Sequence, residues 1–199
     1  LRKNLPSLVA ELSALPDLED IALTTNGTEL PRLARDRADA GPARVNVSLD
    51  SLDRATFAKL AQRDVLPDVL AGIEAAVEAG LTPLSVNCVV IRGTNDHEAV
   101  SFARFARERG FEVRFIEHGQ RWGEHALVPG KELRERIEAV FPLRPAPDQD
   151  RHAPSRDWVF ADGAPGVMGF IDSVTAPFCE SCNRIRLTAD GKLRTCLFS

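Results

Sequence analysis

"LSVNCVVIRG", residues 84–93, is an apolar, β-branched run that ends on a glycine and carries a polar Asn87 in its middle. That composition reads as a buried strand, and a buried strand flanked by helical patterns reads as one wall of a parallel sheet. Upstream, Asp53 to Gly80 places Val69, Leu70, Ile73, Ala76 and Val77 at near-helical spacing. These mark the core face of a helix. Downstream, "DHEAVSFARFARERG" repeats the helical pattern and "EVRFIEH" (112–118) the strand pattern.

The same grammar extends toward residue 1. Leu5 to Leu15 reads as a helix stopped by Pro16, "EDIALTTNG" (19–27) as a strand and its loop, and "GTELPRLARDRADAG" (27–41) as a helix ending at Gly41. "RVNVSLDS" (44–51) supplies another strand. Four parallel strands in a row predict an open doubly wound sheet or part of an α/β barrel.

Past His118 the pattern changes. "RPAPDQDRHAPSRD" (144–157) is a proline-rich, charged linker, and "DWVFADGAPGVMGFIDSV" (157–174) reads as two strands around a Gly/Pro turn. The chain therefore divides into an α/β unit over 1–118 and an extension over 119–199.

Bulk composition bounds the function. With 44 % hydrophobic and 27 % charged residues the chain is that of a globular protein, and a net charge of -4 argues against generic nucleic-acid binding. No apolar run approaches the roughly 18 residues of a membrane span and no signal peptide opens the chain, so a cytoplasmic location is expected, with no membrane partner. Residue 1 is Leu rather than Met, and the chain reads as a piece of a longer protein.

Functional groups in parallel α/β folds gather where strands end. Thr24, Thr25 and Asn26 fall after the first strand, Asn46, Ser48 and Asp50 in and after the second, Asn87 on the third, and Arg114 and Glu117 on the fourth. Polar residues on four consecutive strands fit a polar barrel lumen open to ligand.

The sharper signal is "FCESCNRIRLTADGKLRTCLFS" (178–199), with Cys179, Cys182 and Cys196, three of the four cysteines in 199 residues. C-x2-C brings two sulfurs to one metal, and a hairpin turning at Asp190-Gly191 returns Cys196 toward them. Spacing alone is compatible with a structural zinc ribbon short of its fourth ligand, a three-cysteine iron-sulfur cluster with one open iron, or unrelated thiols. Cys88 lies mid-strand as a small core hydrophobe. Arg184 and Arg186 project on one face of an extended strand, a pair suited to phosphate, carboxylate or a purine edge.

Together "LTTNG", "VNVSLDSLD", "VNCVVIRGTND", "VRFIE" and "FCESCNRIRLTADGKLRTCLF" resemble the GTP 3',8-cyclase family, radical S-adenosylmethionine (SAM) lyases of molybdenum cofactor biosynthesis. The resemblance implies a partial, TIM-like α/β barrel with a cysteine-bearing β-hairpin extension and two 4Fe-4S clusters. It assigns Cys179, Cys182 and Cys196 to the second, substrate-binding cluster, Thr24, Arg184, Ile185 and Arg186 to GTP, and Ser48 to SAM. The implied chemistry begins with a 5'-deoxyadenosyl radical removing the ribose 3' hydrogen of GTP, after which the carbon radical attacks C8 of guanine. Implied partners are GTP, SAM, a downstream cyclic pyranopterin monophosphate synthase and a second copy in a homodimer.

The N-terminal C-x3-C-x2-C motif of the first cluster is not within these residues, and no catalytic residue is assigned. Ser85 stands where the family has lysine, and Gly119 where it has methionine. Two alternatives accompany the resemblance: a divergent relative with another substrate, and a non-catalytic α/β domain with a structural zinc site.

Overall fold

A computed structural model of the chain describes residues 5–32, 34, 44–118 and 123–196. Helix α1 spans Leu5–Ser13, ahead of Pro16 as expected. Strands β1 (Ala22–Thr25), β2 (Arg44–Ser48), β3 (Leu84–Val90) and β4 (Glu112–Glu117) follow, all paired in parallel in that order. Of the predicted helix 27–41, residues 30–32 and 34 are helical, whereas 33 and 35–41 lie outside the described residues.

The stretch 53–80 holds two helices, α2 (Arg54–Ala61) and α3 (Leu66–Glu78), where the apolar spacing predicts one. The break is local. Gln62 ends α2 in the left-handed region at φ 54°, and Pro67 occupies the first turn of α3, where its missing N–H leaves no bond unmade. Asp53 caps α2 through its side chain, accepting from the Thr56 amide at 2.8 Å.

Helix α4 (Ala99–Arg109) precedes β4 and α5 (Gly130–Glu138) follows it. α5 lies in a stretch where the sequence reading found no helix. Its buried side chains, Leu133 and Ile137, are spaced i, i+4 on one face of an otherwise charged segment. The proline-rich stretch 144–157 is the loop between two further strands, β5 (Leu143–Pro145) and β6 (Arg156–Phe160), and its ends lie within them.

Two strands over 157–174 are present, with β7 at Val167–Ile171 antiparallel to β6. β7 also pairs in parallel with β4, adding a fifth parallel strand. The seven-stranded order is β1-β2-β3-β4-β7-β6-β5. Its parallel part runs outward in chain order without the reversal that defines a doubly wound sheet, which is the order of a barrel wall. The chain therefore has the α/β architecture of a partial TIM-like barrel.

Core residues explain the layering. Val45, Val47, Val86, Cys88, Val113, Phe115, Met168 and Phe170 alternate along their strands, and all join one buried cluster with Val69, Ile73, Phe102, Ala106, Leu133 and Ile137 from the helices. Cys88 is thus a core residue, as its mid-strand position predicts. The last strands, β8 (Arg186–Leu187) and β9 (Leu193–Arg194), form a separate antiparallel hairpin. Its turn carries Gly191 at φ 83°, as the Asp190-Gly191 pair predicts. Among the described residues no helix is long and apolar enough to cross a membrane.

Gln62→Gly should remove the left-handed strain of a non-glycine residue at this position. Chemical denaturation is expected to register a gain of about 0.5–1 kcal/mol, the glycine entropy offsetting part of the relief.

Candidate functional site

Parallel register aligns the residues opposite the helix-covered face into two rows. Thr24, Asn46, Ser85 and Glu112 form one, and Ser48, Asn87, Arg114, Gly169 and Asp157 the other. Of the nine polar groups expected at the strands, Thr24, Asn46, Ser48, Asn87 and Arg114 share this face, whereas Asn26 and Asp50 lie in the loops after β1 and β2 and two more face away. Thr25 is in register with buried Val47, and Glu117 with buried Val90, so both belong to the opposite face.

A linked network occupies the centre of the polar face. Arg114 donates from Nε and Nη2 to the two oxygens of Glu112, both at 2.6 Å, and from Nη1 to Asn46 Oδ1 at 3.2 Å. Ser85 Oγ donates to Glu112 Oε2 at 2.7 Å. Ser85, where the resemblance expects lysine, therefore adds to a carboxylate already paired with arginine. Beside Arg114, Gly169 leaves no room for a side chain: a Cβ there would lie 2.4 Å from Ser155 Oγ and 3.0 Å from both Arg114 Cγ and Asp157 Oδ1. Glu112, Gly169 and Asp157 are site-facing residues that the sequence reading missed, although period-two alternation from Arg114 points to the first. Burial raises the Asp157 carboxyl, partly offset by the hydrogen bond from Ser155. Asn87 Oδ1 is buried without a hydrogen-bond partner among the described residues, an acceptor facing this same surface.

Loops at the strand ends are locked to one another. Glu98, buried, accepts from Ser51 Oγ at 2.6 Å and the Leu52 amide at 2.7 Å. Asp50 Oδ1 accepts from the Val89 amide at 2.9 Å, and burial raises this carboxyl above the usual range. Asp50, expected at a ligand site, thus fixes the β2 loop to β3.

The cysteine segment leaves the sheet after β7. Cys179 is exposed, and Cys182 and Cys196 are half-buried. Arg184 Nη2 lies 3.5 Å from Cys182 Sγ, and its guanidinium sits 5.0 Å from the Phe178 ring centroid. Backbone and side-chain hydrogen bonds from Arg184 lower the Cys182 thiol, with smaller contributions from the charges of Arg184 and Arg186. Arg184 Nε and Arg186 Nη1 are buried atoms with no hydrogen-bond partner among the described residues. Ile185 between them points outward and is 73 % exposed. The donor chemistry, thiols beside guanidinium groups, suits a thiolate-bound centre with an anionic ligand. No three of the described His, Cys, Asp and Glu side chains are gathered as a ready metal site. Gly119 lies outside the described residues.

Comparison with known proteins gives these features a family. Residues 1–106 match the model of the Radical SAM superfamily, and residues 109–199 that of Molybdenum Cofactor Synthesis C. The chain belongs to the radical SAM superfamily. All of it aligns with proteins named GTP 3',8-cyclase, at 45 % identity with that of Moorella thermoacetica, 45 % with that of Acidothermus cellulolyticus and 41 % with that of Thermodesulfovibrio yellowstonii. It spans 62 %, 56 % and 63 % of those relatives' lengths, respectively.

The Arg114–Glu112 pair is largely covered, with side-chain exposures of 22 % and 16 %. Arg114→Ala strands the Glu112 charge and should cost about 2–4 kcal/mol by denaturation. Loss of the Arg107–Asp162 ion pair in Asp162→Ala, at an exposed site, should leave the denaturation midpoint close to that of the unaltered chain.

Proposed function

We propose that this chain forms the barrel wall and substrate-cluster portion of a GTP 3',8-cyclase. The observation that carries the reading is the pairing of two guanidinium groups with unpartnered buried nitrogens on the segment that bears three cysteines. In this reading Cys179, Cys182 and Cys196 hold a 4Fe-4S cluster, the hairpin closing to gather their sulfurs as the metal binds. Three thiolates leave one iron open to substrate.

Arg184 and Arg186 hold the GTP, with Ile185 beside them and Thr24 contributing from β1. Ser48 and the polar face around it hold SAM. SAM held there would supply the radical chemistry, together with a first cluster whose cysteine motif is not within the 199 residues, and Arg184, Arg186 and Thr24 would orient GTP toward it. The Arg114–Glu112–Ser85–Asn46 network forms the floor between the two ligands and keeps its own charge balanced. The parent protein acts in the cytoplasm as a homodimer and passes its product to a cyclic pyranopterin monophosphate synthase. The unit boundary at 118/119 divides the first four barrel strands from an extension that adds β7 to the same sheet and then carries the cysteines.

A structural zinc site is the competing reading, with His152 as the nearby imidazole that would have to supply its fourth ligand. His152 Nδ1 lies 2.7 Å from the Ser181 carbonyl oxygen, which puts an imidazole against the C-x2-C turn. Arg151 Nε donates to Nε2 at 3.1 Å, so Nδ1 carries the proton and the ring acts as a hydrogen-bonding brace.

Anaerobic reconstitution with iron and sulfide separates the readings. The chain should bind about four irons, Cys196→Ala should abolish that binding, and GTP should shift the cluster's paramagnetic resonance spectrum. Arg184→Ala and Arg186→Ala should each weaken GTP about tenfold or more. Tight zinc in place of iron, with a spectrum blind to GTP, would refute the proposal.

A further inference from the structure

Glu117 closes β4 but faces away from the polar surface, and it is only 4 % exposed. A buried carboxylate needs several donors. Among the described residues all three of its donors come from one place. Glu117 Oε2 accepts the amides of Val174 at 2.8 Å and Thr175 at 2.9 Å, and Oε1 accepts from Thr175 Oγ1. Ala176 N donates to Asp172 O at 3.1 Å, so residues 172–176 form a turn gathered around this side chain. Cys179 follows four residues after Thr175.

Beyond that turn, His152 braces the segment at the Ser181 carbonyl. β8 and β9 pair only with each other among the described strands. Ile185, Leu187 and Leu193 are 73 %, 73 % and 71 % exposed, so the hairpin buries little apolar surface against the barrel. A projecting hairpin is aimed by its root, as a lever is by its fulcrum.

We propose that Glu117 is a positioning residue for the three-cysteine segment: it holds the 172–176 turn against the end of β4 and thereby sets where the thiols stand relative to the polar face. The proposal rests on the metal-binding reading of those cysteines. Glu117 touches neither metal nor substrate. It acts through backbone amides, as residues outside a ligand set orient the ligands within it.

The test is anaerobic cobalt(II) titration of the full chain, read by thiolate-to-cobalt charge-transfer absorption, with thermal melting alongside. Cys88 is buried in the core, which leaves the thiols of the segment to report. Glu117→Ala should weaken cobalt about 10- to 100-fold. Glu117→Gln, which keeps an acceptor oxygen, should recover most of the affinity. Ile137→Val, a core substitution distant in sequence from the turn, serves as the stability control and should retain wild-type affinity even where its melting temperature falls as far.

Wild-type affinity in Glu117→Ala, or an equal loss in Ile137→Val at matched melting temperature, would overturn the role of Glu117 alone. A wild-type chain that takes up no cobalt would overturn the reading of the cysteines, and this role with it. Should Glu117→Ala not fold, Thr175→Val removes one donor from an exposed residue and should weaken cobalt several-fold; unchanged affinity there would likewise overturn the proposal.

Discussion

Period-two alternation in parallel, in-register strands is the constraint on which the rest of this structure depends. Val45, Val47, Val86 and Phe115 must face the helices to be buried, and the residues between them are then forced onto the other face. A slip of one residue in any strand would put Asn46, Asn87 or Arg114 into the apolar layer. The polar surface is therefore a consequence of the same packing that makes the core. Its charge is kept internally balanced by Arg114 and Glu112.

That arrangement also separates two tasks. The polar face is rigid, because β2, β3, β4 and β7 are each hydrogen-bonded on both sides and the loops above β2 and β3 are locked by Glu98, Asp50 and Asn95. The cysteine hairpin is its opposite, a small exposed ribbon joined to the sheet through one turn and braced by His152. Thiols that must close on a metal are better placed on such an element than inside a strand. Arg184 is already engaged with Cys182 there, which favours the thiolate that metal binding requires.

Much of this was legible in the residues. Strands β1 to β4 announce themselves by β-branched runs, the hairpin by Asp190-Gly191, and the metal-ligand candidates by C-x2-C with a third cysteine. Other features were hidden for physical reasons. α5 shows only Leu133 and Ile137 on a charged helix, too narrow a stripe to stand out beside the proline-rich stretch that follows. The break between α2 and α3 depends on Gln62, a residue with no special liking for the left-handed region, though Pro67 marks the restart. Glu117 looked like a site residue because it ends a strand. Its distance of three residues from Arg114 places it on the other face, and its partners come from 57 and 58 residues away. Pairings of that range carry no local signal.

The most direct test of the central claim is an anaerobic crystal structure of the iron-reconstituted chain with GTP, phased at the iron edge. Iron anomalous density is predicted against Cys179, Cys182 and Cys196, with nucleotide at an open iron and against Arg184 and Arg186. A single metal closed by four protein ligands, or nucleotide bound away from the cysteine segment, would contradict it.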